Sequence, residues 1–536
     1  RDGHLQLIAC AGSGKTEVVA RRVVELLRPT PTGGLVPSNI VAFTFTEKAA
    51  AELKDRIHRR VEETLGPTAD MAEMFVGTIH GFCKQLLNDE IPAFLKYDVL
   101  NEVQQRLFID RYSQQSGLAR SVDLQGKPLR RFIDTGRYHG ALDLLRQADL
   151  HAETLAGNTV AEGLPLYRQL LEQKRYLDFT AIMEHAVHAL HTNAAVRARL
   201  AARVKHVIVD EYQDVNPLQE KVVSALAALG AWLCVVGDDD QTIYQWNGAD
   251  VQNILTFAQR YSPVTTVRLE ENFRSSNTLV ELARDFIQQN ERRLPKAMKG
   301  ENAQPSEVGD VQCLHFANPE AEAEHIVQKL REVHGLAFTD KGQVRGLCWS
   351  DCAILLRAGL RKNAAPLVKA LDAAGIPYVV QGMNTLFDTR EANAARALFY
   401  FMVDRLQMDG PRLENAWRIA DLGLSDDDLT RLMTFADERK ARLHDDTLQQ
   451  HPVYNLQRLF LDALEVAGLR EERVPGGRGE VVFYNLGQFS QLISDFESIH
   501  FHSKPRDKYE AFGGFLEYSA QDEYSEGLQK NAHANP

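Results

Sequence analysis

No apolar run in this 536-residue chain approaches the ~20 residues that a membrane-spanning helix needs, and the opening "RDGHLQLIAC" carries no export-signal pattern. Cysteine is scarce: six residues, at positions 10, 83, 234, 313, 348 and 352, are scattered rather than paired. Cys348 and Cys352 lie close together, but no second pair of metal ligands follows, so no zinc site is expected. The pattern suits a reducing cytoplasm. Positive charge is in deficit, with 61 Lys and Arg against 73 Asp and Glu, a net charge of −12. That argues against non-specific coating of nucleic acid. It leaves room for a local basic or aromatic groove, because binding follows charge distribution as well as the sum. Short-period repeats and low-complexity tracts are absent.

What is present is ordinary globular composition, 44% hydrophobic and 25% charged, on a chain long enough for three or four domains. The first region alternates short apolar runs with helical periodicity. "LQLIA" (5–9), "NIVAFTF" (39–45), "HVIVD" (206–210), "WLCVVGD" (232–238) and "TTVRLE" (265–270) read as buried parallel strands. "KTEVVARRVVELL" and "EKAAAELKDRIHRRVEE" read as helices between them. From about 84 to 200 the strand signal vanishes, which suggests a helical insertion with loops near "LQGKPLRR" and "LAGNTVAEGLP". A second α/β region follows, with strands expected at 309–317, 351–358 and 375–382. After about 400 the pattern is helical again, broken at "VPGGRGE".

"ACAGSGKT" (9–16) follows a strand and opens a helix, the context a phosphate-binding loop requires. Ala11, Gly12, Ser13 and Gly14 would wrap phosphate oxygens with backbone N–H groups, Lys15 would reach the β- and γ-phosphates, and the Thr16 hydroxyl would ligate Mg²⁺. Ala9 stands where the general pattern opens with Gly. "DEYQD" (210–214) sets three carboxylates at the end of an apolar strand, a costly cluster unless a cation sits there. Asp210 fits the second Mg²⁺ ligand, and Glu211 the general base for the attacking water. The chain between Thr16 and Asp210 is too long for a simple nucleotide-binding core, and the helical insertion accounts for the excess.

"ACAGSGKT", "AFTFTEKAAAELKDRI", "VGTIHGFCKQLL", "VIVDEYQDVN", "VVGDDDQTIYQWNGAD" and "LEENFRSS" occur in the order found in superfamily 1A DNA helicases of the UvrD/Rep/PcrA type. The chain resembles that family over almost its whole length, most weakly between 400 and 536. The resemblance implies a P-loop α/β fold of two RecA-like parallel-sheet domains, each with a mainly helical insertion. Residues 1–84 and 201–280 would form domain 1A, 85–200 insertion 1B, 281–400 the first part of 2A, and 401–536 a truncated 2B. It also implies 3′-to-5′ movement on single-stranded DNA, driven by ATP hydrolysis at the cleft between 1A and 2A. DNA repair, replication or recombination is the expected setting.

By the same resemblance Gln241 senses the γ-phosphate, Arg274 contacts it, and Phe273 stacks on adenine where many relatives have tyrosine; Phe273 equally suits a core position. Phe45, Tyr244 and Trp246 stack on bases, and Thr78 and His80 contact the DNA backbone. The aromatics, too, suit a core. Asn247 replaces a usual arginine, Glu47 a common asparagine, and Glu17 a frequent arginine. Stacking and phosphate contacts carry little base information, so binding should be sequence-tolerant. Expected partners are single-stranded DNA and single-/double-strand junctions, with a nuclease or repair protein in addition and no membrane. The adenine-reading glutamine segment, a "TxHxxKGLE"-like segment and a late arginine motif are not found. The chain is therefore expected to be part of a longer helicase. Other readings are the motor of a RecB/AddA-like helicase–nuclease, a non-catalytic DNA-binding scaffold, and another P-loop enzyme such as a nucleotide kinase.

Overall fold

The computed structural model describes residues 3–30, 34–67, 70–148, 150, 152–243, 248–301, 309–340, 343–357, 360–384, 386–445, 455–501, 503–518 and 527–530. The chain divides into two compact units. One comprises residues 1–102, 114–128 and 137–312; the other comprises 103–113, 129–136 and 313–536.

The first unit is built on a parallel sheet. Its strands are β1 (His4–Ala9), β2 (Ile40–Thr44) and β3 (Phe75–Thr78), and, after a short separate pair β4 (Asp98–Val99) and β5 (Tyr176–Leu177), β6 (His206–Val209), β7 (Trp232–Gly237) and β8 (Val264–Leu269). The order is β3-β2-β6-β7-β1-β8, and every pairing is parallel. The register sets Leu7 opposite Val236 and Val267, and Phe43 opposite Val209, so the C-terminal ends of the strands share one edge. In parallel sheets that edge is where ligands are handled. All five residues of β2 are buried, as a strand covered on both faces demands. β3 is not apparent in the sequence, because "FVGT" is short and interrupted by glycine. Gly77 is needed there: a Cβ would come within 2.8 Å of the Phe75 ring.

Helices α1 (Lys15–Leu27), α2 (Glu47–Leu65) and α3 (Ile79–Glu90) follow β1, β2 and β3. α1 buries Val19, Val23 and Leu26 against Leu7, Ile40, Leu53, Ile57, Ile208 and Val236. Each such side chain contributes about 1.5–3 kcal/mol. α2 begins where Thr46 Oγ1 accepts from the Ala49 N–H at 3.1 Å.

The stretch between β3 and β6 is helical, as its periodicity suggests: α4 (Glu102–Arg111), α5 (Thr135–Gln147), α6 (Thr159–Lys174), α7 (Phe179–Thr192) and α8 (Ala194–Arg203). From residue 103, α4 belongs to the second unit. The loop expected at "LAGNTVAEGLP" is mostly helix. Asn158 Oδ1 accepts from the Val160 and Ala161 N–H groups, and this cap starts α6 despite Pro165 inside it. α9 (Pro217–Ala228) links β6 to β7.

The second unit is mainly helical, as the sequence after 400 indicates. Helices Arg390–Met402, Gly479–His500 and Pro505–Tyr518 enclose an aromatic core of Phe399, Phe489, Phe496, Phe512 and Phe515. Two expected strands do not form: 309–317 and 351–357 contain no strand. A parallel strand needs hydrogen-bonded neighbours and covered faces. Here Val311, Leu314 and Leu355 remain exposed, Leu355 at 91%. The strand expected at 375–382 appears as Val379–Asn384, paired antiparallel with Gly527–Lys530. Among the described residues no helix is long and apolar enough to cross a membrane.

Candidate nucleotide site and nucleic-acid face

The phosphate loop joins β1 to α1. Gly12 (φ 68°) and Gly14 (φ 82°) adopt left-handed backbone, and Gly14 caps α1 with no side chain in the way. A Cβ on Gly12 would lie 2.7 Å from the Asn272 amide, so both conformation and space require glycine there. Asn272 Nδ2 donates to the Ala11 carbonyl at 2.8 Å, and the Phe273 N–H donates to the Gly12 carbonyl at 3.0 Å. The Glu17 and Val18 N–H groups donate to the Gly14 carbonyl, and the N–H groups that open a helix before them lack intrahelical acceptors, which makes the start of α1 a ready anion site. The buried Ser13 hydroxyl has no partner. Glu17, on the first turn, pairs with Arg21 at 2.7 Å and Arg60 at 3.0 Å.

At the end of β6, the Asp210 N–H donates to the Phe43 carbonyl, which fixes the strand end. Lys15 Nζ reaches across from the phosphate loop to Glu211 Oε2 at 2.6 Å. Glu211 has φ 50°, a left-handed conformation that a non-glycine residue holds only under strain, as functional sites often do. Gln213 Nε2 donates to Glu211 at 2.9 Å and to Asp214 at 3.2 Å. Burial pushes the Asp210 carboxyl up to about 6; neighbouring Glu211 adds to this, and Lys15 opposes it. Asp214 is pushed up to about 6 by the same influences in the same order, and its Oδ1 is a buried acceptor without a partner. Among the described residues, this end of the sheet has more carboxylates than cations paired with them.

That imbalance fits a divalent cation. Among the described residues no cluster of three or more His, Cys, Asp or Glu could hold a metal alone. An ion here would combine the Thr16 hydroxyl and the Asp210 carboxylate with oxygens from a phosphate, the donor set that suits Mg²⁺.

β7 is followed directly by Asp238, Asp239, Asp240 and Gln241. Gln241 Nε2 donates to Asp238 Oδ2 at 2.7 Å. Arg274 extends from the turn after β8. The Arg274 and Ser275 N–H groups both donate to Asn272 Oδ1 at 2.8 Å, and the Arg274 side chain is exposed. Phe273 is 58% exposed, which sets aside the core reading for that ring.

Phe45 directly follows β2 and is 37% exposed. Thr78 Oγ1 accepts from the Gly81 N–H at 3.1 Å and donates to Glu47 Oε1 at 2.8 Å. The His80 ring meets Phe179 edge-on at 5.8 Å, and burial lowers its pKa to about 4, against a smaller opposing pull from Glu47. Phe45, Thr78, His80, Asp210 and Glu211 line one small cavity, which connects the nucleotide carboxylates to the expected nucleic-acid residues. Tyr244, Trp246 and Asn247 lie outside the described residues.

Residues 1–262 match the UvrD/REP helicase N-terminal domain, and residues 267–445 match the UvrD-like helicase C-terminal domain. The chain belongs to the UvrD-like helicase family. It is 30% identical over 396 residues to an ATP-dependent DNA helicase PcrA of Bacillus subtilis, covering 73% of this chain and 50% of that protein. It is 28% identical to proteins of the same name from Staphylococcus epidermidis, over 83% of this chain and 58% of that protein, and Staphylococcus aureus, over 83% and 57%. The chain thus spans about half the length of the curated relatives it matches.

Sequence reasoning missed several residues of this UvrD-like site. Asn272, 3% exposed, ties the phosphate loop to the Arg274 turn, and Gln213 ties Glu211 to β7 by accepting from the Asp238 N–H at 3.0 Å. Both are amides inside quoted motifs, and a buried amide between charged neighbours is the signal that marks them. Arg293 and Lys296, which face Asp238–Asp240, lie outside every motif and gave no local signal.

Proposed function

We propose that this chain is the motor of an ATP-dependent DNA helicase that moves 3′ to 5′ on single-stranded DNA and opens duplex at junctions. The observation that carries the reading is Lys15 Nζ, 2.6 Å from Glu211 Oε2, at the mouth of a loop whose Gly12 and Gly14 are left-handed. The loop N–H groups and Lys15 bind the β- and γ-phosphates of ATP. As Lys15 turns to the phosphates it leaves Glu211, whose carboxylate then orients the attacking water and takes its proton. Thr16 and Asp210 would hold Mg²⁺, which when bound would offset the charge on the phosphate oxygens. Arg274 stabilises the negative charge of the transferring phosphoryl group. Gln241 senses the γ-phosphate, and Phe273 offers an exposed face to adenine. Phe45, Thr78, His80, Tyr244 and Trp246 form the DNA track, where each stacked base contributes about 1–3 kcal/mol.

ATP hydrolysis with and without single-stranded DNA, together with strand displacement on 3′- and 5′-tailed duplexes, tests the reading. DNA-stimulated turnover, lost in Lys15→Ala, and displacement from the 3′ tail alone are expected. Nucleotide binding without stimulated turnover in the intact protein would replace the motor with a DNA-binding scaffold. Displacement from the 5′ tail would reverse the direction.

A further inference from the structure

The run Asp238–Asp240 poses a problem that the reaction does not solve, because no phosphate or ion is needed there. The chain solves it with two cations from the segment after β8. Lys296, whose side chain is 1% exposed, is bonded through Nζ to Asp238 Oδ1, to Asp239 Oδ1 at 2.5 Å and to Asp240 Oδ2 at 3.1 Å. Arg293 grips Asp240 with both ends of its fork, at 3.0 Å and 2.7 Å. The Leu294 N–H donates to Asp239 Oδ2 at 2.7 Å.

Asp238 is the pivot of this network. Oδ1 takes Lys296 and the Asp240 N–H, while Oδ2 takes Gln241 Nε2. The Gln241 N–H also donates to the Asp238 carbonyl at 2.9 Å. A buried lysine is sustained only by such partners, and the partners in turn are immobilised by it. Residues that lock a contacting side chain from behind commonly govern activity without touching substrate.

We propose that Lys296 is a positioning residue for Gln241, with Arg293 in support. The lysine fixes the Asp238 carboxylate, and Asp238 fixes the rotamer in which Gln241 meets the γ-phosphate. The inference rests on the reading of Gln241 given above.

The test uses the intact protein with Lys296→Met, Lys296→Arg, Arg293→Gln, Gln241→Ala and the Lys296→Met/Gln241→Ala double variant. Lys296→Met lowers kcat for DNA-stimulated ATP hydrolysis about tenfold or more, with KM for ATP within about twofold. Lys296→Arg recovers most of the loss, and Arg293→Gln falls between. The double variant is no slower than Gln241→Ala alone, since both changes remove one function. Independently of turnover, amide hydrogen exchange at Gln241 rises about tenfold in Lys296→Met while the β7 amides keep their protection. Arg293→Gln, at the partly exposed rim, carries the same readouts if Lys296→Met does not fold. Losses that multiply in the double variant, or exchange that rises equally through β7, would show that the lysine merely holds the fold. Slow Gln241→Ala beside wild-type Lys296→Met overturns the inference alone. Wild-type turnover in Gln241→Ala overturns the reading of Gln241 and the inference with it.

Discussion

Neighbouring strands β6 and β7 both end in a run that holds three carboxylates, Asp210, Glu211 and Asp214 on one and Asp238, Asp239 and Asp240 on the other. Their surroundings differ. The β7 run is met by Lys296 and Arg293, and the Asp240 carboxyl is held below its ordinary range: burial works against this, but the Arg293 and Lys296 contacts outweigh it. Among the described residues the β6 run is paired with Lys15, and Asp210 and Asp214 are pushed up. One cluster is met by two cations; the other, met by one, is left shorter of positive charge. The shortage at β6 agrees with the proposed binding of a cation there and with the proposed supporting role of the β7 network.

The largest expected effect comes from opening the closed cluster. Lys296→Ala leaves the buried Asp238 and Asp239 without their cation, while Arg293 keeps Asp240, and should cost about 3–5 kcal/mol, read as a lowered urea midpoint. Lys15→Ala, at the more open cluster, should cost under about 1 kcal/mol, because Glu211 stays accessible to water. Equal losses from the two lysines would dissolve the contrast. Glu211→Gln removes the proposed base and should lower turnover about 10³-fold while nucleotide still binds, measured by hydrolysis and by equilibrium titration.

The open cluster should also show the reverse sign of stability. Asp210→Asn removes a buried charge that only a ligand would compensate. It should stabilise the unliganded protein by about 1–3 kcal/mol and abolish turnover. A destabilised Asp210→Asn would mean that the β6 end is as well satisfied as the β7 end.

The first unit was largely legible because its signals are local. A strand such as β2 announces itself by five buried residues in a row, and the phosphate loop by glycines that its backbone angles require. What lay hidden was long-range pairing. Nothing near Lys296 in sequence suggests that it closes on Asp238, and Asn272 shows its role only once Ala11 lies beside it. The strands expected at 309–317 and 351–358 mislead for the same reason: an apolar run says that a segment would be buried if covered, and Leu355 is not. The α6 start is hidden on different grounds: Gly157, Gly163 and Pro165 signal a loop more strongly than the single Asn158 cap signals a helix.

A smaller effect than that of Asp210→Asn separates the two sides of the cavity that Asp210 shares with His80. The folded protein keeps the His80 imidazole neutral down to about 4, against 6.5 for an ordinary histidine. As pH falls below about 6.5 the unfolded chain therefore takes up the proton first. Stability from this ring is complete above that pH and is lost as pH drops towards 4. The loss should be on the order of 1–2 kcal/mol, because the ring keeps some contact with water. Subtracting the pH profile of urea midpoints for His80→Gln from that of the wild type isolates the ring from other groups. A difference that is flat between pH 7 and 4 would mean that Glu47, which pulls the imidazole towards its charged form, balances the burial. His80 would then be able to meet a DNA phosphate as a cation, and the track would gain a charge that the neutral ring does not supply.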